Sequence, residues 1–281
     1  MDRSTVRLAY RHPLSRRVGH WINVVAVVVL LMTGLNIFGA HPALYWGAAG
    51  NMYDAPALMI GSSGEHGLLT VFGRTFATTG LLGWSGGNAT AFPAWAMIPG
   101  YRDLAAARNW HLFMAWVLIL NGILFWAISL ANRHVRYDLL PSADDLRPQN
   151  LLHDIAEHAR LRFPTGRDSN RYHILQKLAY LSLVAVFLPM MIVTGLSLSP
   201  GADAVAPWIV DALGGRQTAR TLHFVFTGLT VGFIVVHVLA VLLAGVGNQM
   251  RAMITGRWAF TDTPEPVATA AVRTTLDRVV S

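Results

Sequence analysis

No cysteine occurs anywhere in the chain, and that absence excludes a good deal of chemistry. Disulfides, iron–sulfur clusters, thiolate metal sites and covalently attached c-type haem all require a thiol. A redox centre here must be held by histidine or methionine. Charge is the second scarcity: charged residues make up 13% of the 281 positions, against 53% hydrophobic. With a mean hydropathy of +0.43, that balance belongs to a polytopic membrane protein rather than a soluble domain. The formal charge of +7 does not make nucleic acid a partner, because the arginines flank apolar runs, as membrane orientation requires.

Four runs carry no formal charge at all: residues 18–38, 110–131, 178–198 and 222–247. Each is long enough to cross a bilayer as a helix. The expected fold is an all-α membrane protein, a four-transmembrane-helix bundle occupying residues 1–247. The first run is expected to stay as an uncleaved helix, because its apolar core is too long for a signal peptide and Phe38 stands where a small residue is needed before Ala40. Pro189 should kink the third. Asn23 and Asn121, polar residues within the first two runs, are expected to bond across helices. Met190 and Met191 read as fillers of irregular core gaps.

Between the first two runs lies a long loop, 39–109, rich in glycine, proline and aromatics such as Trp46, Trp84, Phe92 and Trp95. Arg74 and three glycines argue against a span within 68–84. The loop is expected to fold as a cap on the membrane surface, with short strands and an interfacial helix around 93–98. A basic loop, 132–177, follows the second run, with an amphipathic helix expected over 151–162. The tail, 248–281, reads as polar and partly disordered, above all from Pro264 onward. The N-terminus, the 132–177 loop and the tail hold 17 of the lysines and arginines, and the two intervening loops hold 5. The positive-inside rule then places both termini in the cytoplasm of a bacterium bounded by its inner membrane.

That orientation gives every intramembrane histidine a depth. His20 falls near the inner face and His111 near the outer face. His223 and His237 are fourteen positions apart on the last run, about 21 Å along a helix and on nearly the same side of it. They therefore sort as an outer pair, His111 with His223, and an inner pair, His20 with His237. A paired imidazole suits the axial positions of b-type haem, the porphyrin filling an apolar gap between helices. Zinc prefers four ligands and only two meet at each level. A proton relay generally includes carboxylates, and the four runs have none. His12, His134, His153 and His158 lie in the expected cytoplasmic segments and His41 and His66 in the outer loop; none needs a ligand role.

The His20-Trp21 start, the His111 helix start and the spaced His223/His237 pair resemble the cytochrome b subunits of nickel–iron hydrogenases, formate dehydrogenase and thiosulfate reductase. The resemblance covers all four runs. It implies two b-type haems on His20, His111, His223 and His237, a quinone as exchangeable substrate, and electron transfer between the quinone and a partner oxidoreductase, in a direction set by the partner's potential. The long outer loop looks like the branch that docks a periplasmic molybdopterin enzyme. Haem propionates would find Arg17 on the inner side, and Arg108 or Arg220 on the outer. By the same likeness His173, Gln176 and Lys177 would border a quinone pocket. Two other functions stay open at this level: a stand-alone haem enzyme acting on a small species such as superoxide, and a non-redox membrane anchor.

Overall fold

In lipid a segment must satisfy its own backbone hydrogen bonds, so charge-free apolar runs of this length resolve as helices. The computed structural model describes residues 6–51, 53–100, 103–132, 140–142, 145–159 and 174–261. Strand β1 (Val6–Tyr10) leads through Pro13 into helix α1 (Leu14–Gly39). Six short strands follow: β2 (Ala43–Leu44), β3 (Leu58–Ser63), β4 (His66–Val71), β5 (Arg74–Ala77), β6 (Gly83–Ser85) and β7 (Asn88–Thr90). The interfacial helix expected around 93–98 is a single 3-10 turn, Ala94–Ala96, with Trp95 exposed.

Helix α2 (Leu104–Ala131) begins at Asp103, whose carboxylate accepts the Ala106 amide at 3.0 Å. That cap starts the helix before the apolar run and puts His111 two turns inside it. The amphipathic helix is α3 (Pro148–Ala159). The third span comprises α4 (Ile174–Ser182), a wide π turn over Leu183–Phe187, and α5 (Leu188–Leu198). Pro189 has no N–H, and in a regular α-helix its ring would clash with the carbonyl of Ala185; the helix is widened over the turn just before it. Short helices α6 (Pro200–Val205) and α7 (Trp208–Ala212) turn the chain into α8 (Arg216–Leu243), followed by α9 (Val246–Thr255) and β8 (Arg257–Thr261).

Four helices, Leu14–Gly39, Leu104–Ala131, Ile174–Leu198 and Arg216–Leu243, are long and apolar enough to cross a membrane. They pack chiefly as two hairpins, α1 against α2 and α5 against α8. Within the first hairpin the Asn121 amide donates to the Gly19 carbonyl at 2.9 Å and to Asn23 Oδ1 at 2.7 Å. This is the cross-helix bond expected of those two asparagines.

The cap is a β structure rooted in the bundle. Strands β2, β3, β4 and β5 form an antiparallel sheet in that order, and β6 pairs with β7. Phe38, from the end of α1, sits in one core with Leu44, Ile60, Ala91, Phe92 and Met97. Its ring lies 4.7 Å from that of Phe224 on α8 and 6.0 Å from that of Phe92. A second joint fastens the cap to the first turns of α8. The Gly47 carbonyl accepts the Gln217 and Thr218 amides at 3.0 and 3.2 Å, satisfying donors that a helix start leaves open. Thr221 donates to the Tyr45 carbonyl at 2.6 Å, and the Arg220 guanidinium donates to the carbonyls of His41 and Ala43.

Two glycines allow β6 to cross the main sheet at backbone contact. A Cβ on Gly83 would stand 1.9 Å from the Gly61 carbonyl oxygen, and one on Gly67 would stand 2.0 Å from that of Leu82. Gly83 also adopts φ +80°, a left-handed conformation that costs an L residue. Gly83→Ala is expected to destabilise the cap by more than about 3 kcal/mol. Limited proteolysis should then cut within 39–100 while the four long helices stay protected. Cleavage no faster than in the parent protein would refute the backbone-contact account.

At the end of the bundle away from the cap, β1 and β8 pair in antiparallel register, Val6 opposite Thr261 and Tyr10 opposite Arg257. The Arg17 guanidinium donates to the Ile254 carbonyl, and the Trp21 indole N–H to that of Met253 at 3.3 Å. Asn248 exchanges hydrogen bonds with the Ala259 backbone, so the stretch read as tail is folded through Thr261. Burial, then the charges of Arg11 and Arg16, push the His12 imidazole down to about 4, so it is neutral at this joint. The disorder expected from Pro264 and the arginines 133, 136, 160, 162, 167 and 171 lie outside the described residues, as does His134.

Candidate functional site

The two histidines of α8 each meet one partner from another helix. The His223 ring centroid lies 6.3 Å from that of His111 on α2, the planes crossing at 62°. The His237 ring lies 6.4 Å from that of His20 on α1, at 63°. The structure thus brings His111 to His223 and His20 to His237, and among the described residues no other histidine ring meets either pair. Iron gripped by two imidazole nitrogens at about 2 Å each, with roughly 1 Å more from nitrogen to ring centre, would set the centroids about 6 Å apart. The residues present therefore fit an axial bis-histidine site twice over. Among the described residues no group of three or more histidines and carboxylates gathers, so nothing favours a tetrahedral metal.

The cap-side pair is cradled identically from both hairpins. Thr33 on α1 lies 3.0 Å from His111 Nδ1, and Thr194 on α5 lies 2.9 Å from His223 Nδ1. Both threonines are 0% exposed. The next residue is in each case glycine, and a Cβ on Gly34 would stand 3.3 Å from His111 Cε1, one on Gly195 the same 3.3 Å from His223 Cε1. Thr33-Gly34-Leu35 and Thr194-Gly195-Leu196 repeat one tripeptide. Sequence reasoning missed these four residues, and the tripeptide alone could not have found them, since Thr79-Gly80-Leu81 and Thr227-Gly228-Leu229 carry it as well.

Aromatic rings surround the far pair. Phe233, one turn before His237 on α8, stacks on it at 5.9 Å with planes only 5° apart. Tyr180 of α4 lies 6.5 Å from His237 and 5.9 Å from Phe233, and Trp21 meets His20 edge-on at 5.4 Å. Neither His20 nor His237 hydrogen-bonds through its ring to a described residue.

The remaining candidates are scattered. Arg220 is held by the cap carbonyls and lies 5.3 Å over the Phe38 ring, and Arg17 is bound to α9. Arg108 is exposed on the first turns of α2. Lys177 forms an ion pair with Asp145 at 2.8 Å, which holds that carboxyl below its ordinary range. Gln176 and Lys177 lie about one turn before Tyr180, on the helix that faces His237. His173 lies outside the described residues.

A four-helix bundle with paired imidazoles at two levels is the framework of the membrane-embedded cytochromes b. The pattern of the prokaryotic cytochrome b561 family matches residues 11–256, and this chain belongs to that family. It is a membrane electron-transfer protein, and membership implies b-type haem. The chain is also similar to a protein of Azospira oryzae assigned as YedZ1, a subunit of a protein-methionine-sulfoxide reductase. The two are 26% identical over 245 residues, 87% of this chain and 96% of the relative. No solved structure matches the chain.

Proposed function

We propose that the chain holds two b-type haems, one between His111 and His223 on the cap side and one between His20 and His237 on the far side, and conducts electrons across the bacterial inner membrane. The observation that carries this reading is the pair of matched ring separations, 6.3 and 6.4 Å, at levels set by fourteen residues of one helix. Haem iron supplies a one-electron redox centre in each gap. The protein fixes the separation, about 21 Å between the two ligands along α8, and keeps water out. The charge distribution supports a periplasmic cap and cytoplasmic termini.

On the cap side the electron partner is a soluble periplasmic oxidoreductase. The similarity to YedZ1 supports this, since that relative is assigned to a reductase complex and is covered almost end to end. The partner then takes its place among the molybdopterin enzymes that the long outer loop suggests. On the far side the electron source is a quinol, and its place is the start of α4, where Gln176 and Lys177 stand about one turn before Tyr180, whose ring lies 6.5 Å from that of His237. An electron crossing the membrane potential does or receives work of about 2.3 kcal/mol per 100 mV.

The protein purified in detergent should bind about two haems per chain by the pyridine haemochrome assay, with reduced b-type absorption bands. Quinol should reduce them, and an oxidised partner enzyme should reoxidise them. Fewer than two haems would end the two-site reading. Two haems that quinol leaves oxidised would favour a stand-alone haem enzyme.

A further inference from the structure

We infer that Thr33 and Thr194 are positioning residues that set the tautomer of the two cap-side imidazoles and lower the reduction potential of the haem between them. The inference rests on the two-haem reading above. Its physical core is proton accounting. A threonine hydroxyl has one proton to give. Thr33 Oγ1 lies 2.7 Å from the Val29 carbonyl oxygen, and Thr194 Oγ1 lies 2.6 Å from that of Met190. Two oxygens that close need a proton between them, so each hydroxyl donates backward into its own helix. Toward the imidazole it can then only accept.

His111 Nδ1 at 3.0 Å and His223 Nδ1 at 2.9 Å must accordingly carry the ring protons, leaving both Nε2 atoms bare for iron. With both threonines fully buried, no water competes for the contact. The glycine after each threonine lets the ring lie against the helix, since its missing Cβ would be 3.3 Å from Cε1. One hairpin supplies the device for α2 and the other repeats it for α8. At the far pair the neighbouring rings are those of Trp21, Tyr180 and Phe233, and among the described residues no threonine is hydrogen-bonded to either histidine ring.

An Nδ1–H that donates makes its imidazole a stronger base at Nε2. A stronger base favours ferric over ferrous iron, so each threonine draws the cap-side potential down. The bond is made in both oxidation states and only the difference counts, so removing it should shift the ferric-to-ferrous ratio at fixed ambient potential by up to about tenfold.

The test uses the full-length protein and the variants Thr33→Val, Thr194→Val, Thr33→Ser and Thr194→Ser, with Thr230→Val as control. Thr230 makes the same backward bond, to the Phe226 carbonyl at 2.8 Å, and among the described residues it has no hydrogen bond to a histidine ring. Haem is counted and both b-type centres are titrated potentiometrically, the cap-side centre being assigned in a His237→Ala background. The expected result is two haems throughout. Each valine should raise the cap-side midpoint alone by the stated ratio, and both serines and Thr230→Val should match the wild type. Loss of the cap-side haem from the valine variants, with serine retaining it, would equally support the assignment. Valine variants with both haems and unmoved midpoints, or serine variants that shift like valine, would overturn it and leave the two-haem reading intact. A wild type without haem would overturn that reading itself.

Discussion

Replacing His223 by alanine is expected to remove one haem and leave the other, and replacing His237 is expected to do the same to the opposite haem. Helix α8 gives one ligand to each pair, so neither substitution should empty both sites. The pairing makes a sharper forecast when the partners are included. His111→Ala should remove the haem that His223→Ala removes, and His20→Ala the one lost with His237→Ala. The His111/His223 double variant should therefore retain one haem per chain, while His223/His237 should retain none. Haem stoichiometry with redox titration reads all of these. If His20 and His223 proved to serve one haem, the ring separations on which the reading rests would be coincidental.

Gly195→Val should abolish the cap-side haem without unfolding the helix that carries it. The reason is geometric. A single added Cβ would press on His223 Cε1 at 3.3 Å, close enough that the ring must yield by a few tenths of an ångström. Valine adds two methyl groups beyond that Cβ, and they claim space the imidazole occupies. The helix-propensity change itself is slight, since valine is no worse a helix former than the glycine it replaces. Gly34→Val should act alike through His111. Gly228 on α8 faces open space, so Gly228→Val should retain both haems. Retention of the cap-side haem in Gly195→Val would show that the ring does not need the glycine.

Much of this was legible in the amino-acid order, and the reasons are physical. A charge-free run long enough to span must be helix, and fourteen residues of helix must return a side chain to nearly the same face. Joined to the orientation read from the lysines and arginines, those two facts are what sorted the histidines into pairs. Helix ends were less legible, because hydropathy stops at the lipid while the helix does not. Asp103 caps α2 well before Trp110, and Gly47 caps α8 before Leu222. The cap's strands could be expected but not placed, since β6 is seated by the Gly67 and Gly83 approach, a long-range contact without periodic signal. Thr33 and Thr194 escaped because a threonine in a membrane helix normally bonds its own backbone. Both do so, and the second partner appears only when another helix arrives. Arg220 looked like a group at the membrane face, and its cap partners at His41 and Ala43 become visible only once the loop has folded back.

The joint between the cap and the first turns of α8 bears on more than the cap. One rod carries a gripping ring for each gap, so any rotation about its long axis would swing both rings through the same arc. Neither gap can then be adjusted by turning α8 without disturbing the other, and the brace formed by Gly47, Arg220 and Thr221 resists that torsion.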